Sequence, residues 1–188
     1  SDYAYVAEVT LKDGKEVRSG YKFFVSFEPS EFNIDKFVAD VANDALKKLG
    51  STQCKTKKYP LVLNPETAST LIKYLVNSAD AEDVQKKTSL FAGKLNQQVV
   101  SKKLTISENP LKKTIFFRYF DEEGVATNKK FIIKNGQLMT YLHTLQTAKK
   151  DGVEPTGNGY RSGGKTSAGT SIISVKPGKN SEAEMVSK

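Results

Sequence analysis

Two runs of alternating apolar and polar residues, separated by Asp13-Gly14, open the chain and restrict its folding options more than any other feature. Ala4 to Leu11 reads as a strand and Val17 to Phe27 as the strand that returns, with Asp-Gly between them as a tight hairpin turn. A hairpin alone is marginal in water and needs a cover for its apolar face. One follows directly: Ile34, Phe37, Val38, Val41, Ala42, Ala45, Leu46 and Leu49 recur at helical spacing. Asn33 can cap that helix and Gly50 can stop it. Residues 1–50 are therefore expected to form part of an N-terminal α+β lobe. The lysine-rich segment 51–58 would connect it to a β-rich region over residues 59–188.

In that second region Tyr59-Pro60-Leu61-Val62-Leu63 reads as a short strand running into Asn64-Pro65-Glu66-Thr67. An Asn cap, a Pro at the first helical position and an acid in the first turn all favour a helix start. Ala68, Leu71, Ile72, Leu75 and Val76 supply its apolar stripe. Val99–Ile106 and Thr114–Phe120 read as strands, and Phe131–Ile133, Asn135-Gly136 and Leu138–Leu142 as a second hairpin. A helical turn over Gln146–Lys150, a glycine-rich loop over Gly152–Gly169 and a strand over Ser171–Val175 complete the pattern. The fold class expected is α+β, with antiparallel hairpins and a mixed sheet packed with a few helices. Ser181-Glu182-Ala183-Glu184 has the form of a capping box, yet only four residues follow it. The reading is a piece of a longer protein whose last residues fray.

Of the 188 residues, 38% are hydrophobic, enough for an ordinary core, and no apolar run approaches the roughly 20 residues that a membrane-spanning helix needs. The start lacks the pattern of a secretory leader, and the single Cys54 cannot form an internal disulfide, so the cytoplasm is the expected compartment. A net charge of +8 invites a nucleic-acid reading. Against it, only Arg18, Arg118 and Arg161 among the 29 cations are arginine, and the lysines fall in scattered pairs. A solvated lysine-rich surface is the better account.

Three patterns bear on chemistry. Gly159-Tyr160-Arg161-Ser162-Gly163-Gly164-Lys165-Thr166 matches the phosphate loop of nucleotide hydrolases, but that loop needs a buried strand before it and a helix after it. A polar turn precedes this one and β-branched Ile172-Ile173 follows, so a flexible loop is expected. Catalytic zinc takes three protein ligands, whereas His143 and Cys54 are the only residues of their kinds and lie in different regions. A triad would need the same histidine beside a nucleophile, and no nucleophile motif accompanies it. The acidic run Asp121-Glu122-Glu123-Gly124 reads as a turn in which Gly124 takes positive φ.

Four segments carry a family resemblance. Tyr59-Pro60-Leu61-Val62-Leu63-Asn64-Pro65-Glu66 is similar to Y-P-V-V-x-x-P-E, and Ser89-Leu90-Phe91-Ala92-Gly93-Lys94-Leu95 to S-F-x-x-G-K-L. Phe120–Thr127 is similar to F-D-D-E-G-V-P-T, with Ala126 at the proline, and Thr156-Gly157-Asn158 to T-G-N. In this order they resemble the TldD/PmbA family, once named for modulation of DNA gyrase. The resemblance implies a metallopeptidase scaffold, longer at both ends, whose peptidase branch carries His-Glu-x-x-x-His on the helix before S-F-x-x-G-K-L. Counting back from Ser89, those positions hold Ile72, Lys73 and Asn77. The implied assignment is the PmbA/TldE branch, with no metal or other cofactor and no catalytic residue of its own. It would act as partner to a TldD-type zinc peptidase in the proteolysis or maturation of small unfolded peptides. Asp121, Glu123, Gly124, Thr156, Gly157, Asn158 and Gly159 are the expected peptide or partner contacts, and a homodimer is a further expectation. The runner-up is a cytosolic nucleic-acid- or gyrase-associated binding protein.

Overall fold

In the computed structural model, which describes residues 2–187, the opening hairpin pairs β1 (Tyr3–Asp13) with β2 (Glu16–Ser26), antiparallel and in unbroken register from Tyr3 opposite Ser26 to Asp13 opposite Glu16. Alternation decides the faces: Tyr5, Ala7, Val9 and Leu11 are half-buried while Val6, Glu8 and Thr10 are exposed. The covering helix α1 (Ile34–Leu46) brings Val41 and Ala45 fully into the interior. Asn33 caps it by accepting from the Lys36 N–H at 2.8 Å. The helix ends at Leu46, three residues before the expected Leu49, and Gly50 takes a φ of 69° in the turn that follows. Phe32 closes one end by stacking on Tyr5 at 3.7 Å and meeting Phe37 edge-on at 5.2 Å. Gly20 lies where β2 passes under α1: a Cβ there would sit 2.7 Å from the Ala45 backbone nitrogen and nearer still to the Val41 carbonyl.

This hairpin and helix belong to the first of two compact units, Ser1–Tyr59; the second is Pro60–Lys188. Residues 51–59 contain no helix or strand.

The second unit is built on a four-stranded antiparallel sheet in the order β5-β4-β3-β8, from β3 (Ile106–Glu108), β4 (Lys130–Lys134), β5 (Gln137–Leu138) and β8 (Ile173–Val175). Asn135 and Gly136, at φ 49° and 79°, make the expected tight turn between β4 and β5. Helix α2 (Pro65–Asn77) begins as expected, with Asn64 accepting from the Thr67 N–H at 2.8 Å and Pro65 opening the first turn. Val76 from α2 joins Ala79, Phe91, Ile106, Ile132, Ile133, Leu138 and Leu142 in one core. Each large side chain so buried contributes about 1.5–3 kcal/mol. Short helices α3 (Ala81–Gln85) and α4 (Leu145–Asp151) flank it, α4 with a Thr144–Thr147 capping box and Gly152 in the left-handed conformation at its end.

Several expected strands take other forms. Tyr59–Leu63 has no strand partner and leaves Leu61 77% exposed. Of Val99–Ile106 only Ile106 enters the sheet, because the Val99 and Val100 N–H groups bond the Gly136 carbonyl at the hairpin tip instead. Thr114–Phe120 is a series of turns, tied by the Arg118 N–H to the Pro110 carbonyl and bridged to Ala126 only at Phe120. Beyond Leu138 the chain leaves the sheet, and Leu142 makes an isolated parallel bridge with Asp80, so the sheet itself is not mixed. The glycine-rich loop contains a hairpin, β6 (Gly159–Ser162) with β7 (Lys165–Ala168). The capping box at Ser181 does start a helix, α5 (Glu182–Val186), where fraying is the sequence expectation; Lys188 lies outside the described residues.

Candidate functional site

Helix α2 presents two neighbouring rows at i, i+4 spacing: Ala68, Ile72 and Val76 are apolar, and Ser69, Lys73 and Asn77 are polar. Both rows line one cavity of about 790 Å³, closed on the other side by Gly169, Thr170, Ser171, Ile173 and Val175. Ile72, Lys73 and Asn77, the three positions singled out in the sequence, therefore share a single concave surface. Among the described residues no carboxylate lines it, and Lys73 is its one charged group.

The opposite wall is held by a buried polar network. Glu108, 1% exposed, accepts through Oε2 from Lys130 Nζ and from Asn158 Nδ2, each at 2.9 Å, and through Oε1 from the Ser171 N–H at 3.0 Å. Asn158, fully buried, also donates to the Gly169 carbonyl at 2.7 Å and accepts from Lys130 Nζ at 3.1 Å. An Asn side chain carries two donors and an acceptor, so it can serve a carboxylate, an ammonium and a carbonyl together. The carboxylate, ammonium and amide are bonded to one another, which offsets the desolvation cost a lone buried charge would carry, whereas Ser171 Oγ is buried without a partner. The consequence is positional: Gly169 and Ser171 are pinned at the rim by side chains from β3, β4 and the Thr-Gly-Asn segment.

The acidic turn braces the same segment from outside. Asp121 is buried and accepts from the N–H groups of Glu123 and Val125 at 2.9 Å and of Gly159 at 2.7 Å. Glu123 accepts from the Leu145 N–H at 2.8 Å, so the turn also holds the start of α4. Gly124 is exposed, with φ at 82°. Gly157, at φ 69°, packs so near the turn that a Cβ would stand 2.5 Å from the Ala126 carbonyl. Thr156 bonds through its hydroxyl to both the N–H and the carbonyl of His143, at 2.7 and 3.2 Å. Hydrogen bonds from the Arg161 backbone N–H and the Arg118 guanidinium hold the exposed Glu122 carboxyl below its usual range. Burial pushes the Tyr160 phenol up, and nearby Glu108 adds to the effect. A second hollow, about 570 Å³, lies on the outer side of the turn against Phe117, Tyr119 and Phe120.

The chemistry available follows from these placements. Ile72 offers no donor atom, Lys73 offers an ammonium and Asn77 an amide, so the donor set on α2 does not fit a zinc ion. Among the described residues no group of three His, Cys, Asp or Glu side chains could hold a metal. Cys54 is exposed in the connector, in the other unit. His143 is buried, and burial pushes its imidazole down against the opposing charge of Asp151. The phosphate-loop pattern is the β6–β7 hairpin: Gly163 and Gly164, at φ 57° and 80°, form its two-residue turn and Lys165 reaches Glu82 at 3.3 Å. The backbone there bonds across the hairpin, and no helix follows to present free N–H groups to a phosphate.

Of the expected contact residues, Asp121, Glu123, Thr156, Gly157, Asn158 and Gly159 meet in one braced cluster, most of it buried, with Gly124 at its surface. Glu108 and Lys130 are absent from the sequence reading although they anchor the wall. The alternation Ile106-Ser107-Glu108 is the signal that could find Glu108, since it sets that residue on the same face as buried Ile106.

The chain from residue 56 to 188 matches the model of the PmbA/TldA metallopeptidase C-terminal domain. Among relatives, Metalloprotease MJ0996 of Methanocaldococcus jannaschii is 34% identical over 94% of this chain and 39% of its own length. Metalloprotease PmbA of Escherichia coli O157:H7 is 30% identical over 80% of this chain and 34% of its own. Among solved structures, TM0727 of Thermotoga maritima, named for modulation of a DNA gyrase, superposes with a TM-score of 0.89 at 32% identity, covering 97% of this chain and 42% of that one. TldE from Thermococcus kodakarensis gives 0.84 at 25% identity, covering 98% and 43%. The chain thus spans roughly two fifths of the length of these proteins, and it belongs to the PmbA/TldD metallopeptidase family.

Proposed function

We propose that this chain is the metal-free, PmbA/TldE-type member of a pair whose other member is a TldD-type zinc peptidase, and that it helps enclose small unfolded peptides for cleavage on that partner. One observation carries the reading: the positions where the resemblance implies a zinc-binding helix line a 790 Å³ cavity, and they hold Ile72, Lys73 and Asn77. The cleft of a peptidase is kept while the donors for its metal are replaced.

The cavity suits an extended peptide. Strand β8 stands at the edge of its sheet. Its bonds to β3 run through Ile172 and Lys176, which meet Asn109 and Thr105, and Ser174 pairs with Ser107 in the same phase. The N–H and C=O groups of Ile173 and Val175 therefore point away from β3, toward the open edge. A peptide added there gains main-chain hydrogen bonds whatever its sequence, which suits a binder of varied unfolded segments.

The test is co-purification with a TldD-type subunit, then cleavage of an unstructured peptide by each protein alone and by the two together. The expected result is cleavage that requires the TldD-type subunit and rises when this chain is added. Stoichiometric zinc and peptide cleavage by this chain alone would refute the proposal. Steeply salt-dependent DNA binding without any peptide binding would favour a nucleic-acid role instead.

A further inference from the structure

We infer that the α2–β8 cavity selects peptides bearing a carboxylate, received by Lys73, so that its ligands are acidic or C-terminal peptide segments. This rests on the reading of the cavity as a peptide site and names the chemistry it prefers. Among the described residues Lys73 is the single charge on the cavity wall, and no acid lines the cavity to neutralise it. Lys36 within α1, Lys48 just beyond its end and Lys86 at the end of α3 differ, since each pairs with an acid four residues away, at 3.1, 2.9 and 2.6 Å. The residues one turn either side of Lys73 are Ser69 and Asn77, neither of which can neutralise an ammonium.

The surroundings reinforce a single anionic group on an otherwise apolar ligand. Ile72 and Val76 form the floor beside Lys73, and Ile173 and Val175 face them from β8. Apolar side chains of a strand lying along β8 would pack between these residues, while a carboxylate at the rim would meet Lys73 Nζ. The amide of Asn77 and the hydroxyl of Thr170 line the same cavity and can donate further hydrogen bonds to it. A basic side chain at that point would instead meet Lys73 without any acid to offset the repulsion.

The experiment is fluorescence-anisotropy binding of labelled, unstructured, apolar hexapeptides to the purified protein. The series carries Glu, Gln or Lys at a central position, each with a free or an amidated C-terminus, and is measured against wild type, Lys73→Gln and Lys73→Glu. Wild type should favour the carboxylate peptides over the neutral amidated Gln peptide by about tenfold, the scale of one charge-assisted hydrogen bond. Lys73→Gln should remove that preference, so that the carboxylate and amidated Gln peptides bind alike, and Lys73→Glu should favour the Lys peptide. Comparison of internal Glu with the free C-terminus tells which carboxylate is read. Equal binding of all peptides by wild type, or a preference that survives Lys73→Gln, overturns the inference while leaving the peptide site standing. Failure of every peptide to bind overturns both. Lys73 is exposed, so circular dichroism should show both variants as fully folded as wild type.

Discussion

Asn158 joins three partners that would each be costly to bury alone: the Glu108 carboxylate, the Lys130 ammonium and the Gly169 carbonyl. Replacing it with Ala leaves the carbonyl without its side-chain donor and removes one bond from each charged group. The expected cost is about 2–4 kcal/mol, read as a lowered urea midpoint at unchanged slope. Because Asn158 pins Gly169 and Glu108 pins Ser171, the same variant should bind peptide more weakly than its loss of stability explains, at temperatures where it remains folded. A stability within about 0.5 kcal/mol of wild type would show that the network does not hold the wall. The motif Thr156-Gly157-Asn158 is legible in the sequence as a family signature, but its work is not. That work depends on partners 50 and 28 residues away in the chain, at Glu108 and Lys130.

At the scale of elements, the sequence was most informative where one short segment decides its own conformation. The Asn33 and Asn64 caps and the Asn135-Gly136 turn stand as expected. The first hairpin turns one residue later than Asp13-Gly14, at Gly14-Lys15, because Asp13 pairs with Glu16, and of the apolar stripes Ile34, Val38, Leu46 and Leu71 stay exposed. It was least informative for strands, because alternation reports which side chains share a face and not whether another backbone lies alongside. Tyr59–Leu63 and Thr114–Phe120 look like strands in composition, but the first has no strand partner and the second has only the single bridge from Phe120 to Ala126. The β6–β7 hairpin shows the opposite case: a segment read as flexible becomes a strand pair because Gly163 and Gly164 supply a turn that matches strand twist. It follows that neither ATP nor GTP at millimolar concentration should shift the thermal midpoint. Lys165→Ala should change stability by less than about 0.5 kcal/mol, since its pairing with Glu82 is exposed. A nucleotide-dependent midpoint lost in Lys165→Ala would reinstate the phosphate-loop reading.

For the molecule as a whole, two units joined by residues 51–59 without helix or strand predict where proteolysis begins. Limited trypsin treatment should cut first at Lys55, Lys57 or Lys58, all exposed, and leave the second unit protected by its core. Mass spectrometry of the earliest products checks this, and first cuts inside residues 60–188 would contradict it. The order of residues is enough to give the helix starts, most of the tight turns, the resemblance to a metallopeptidase family, and Ile72, Lys73 and Asn77 as the positions where that resemblance implies zinc-binding side chains. Each follows from residue identity and short-range backbone preference. Packing is needed to bring these three residues to one cavity, to set Gly169–Ser171 as its far wall, and to hold that wall through Glu108, Lys130 and Asn158. Those are contacts between segments distant in sequence, selected by the packing of α2 and β8 around a shared core, and no local pattern of residues encodes them.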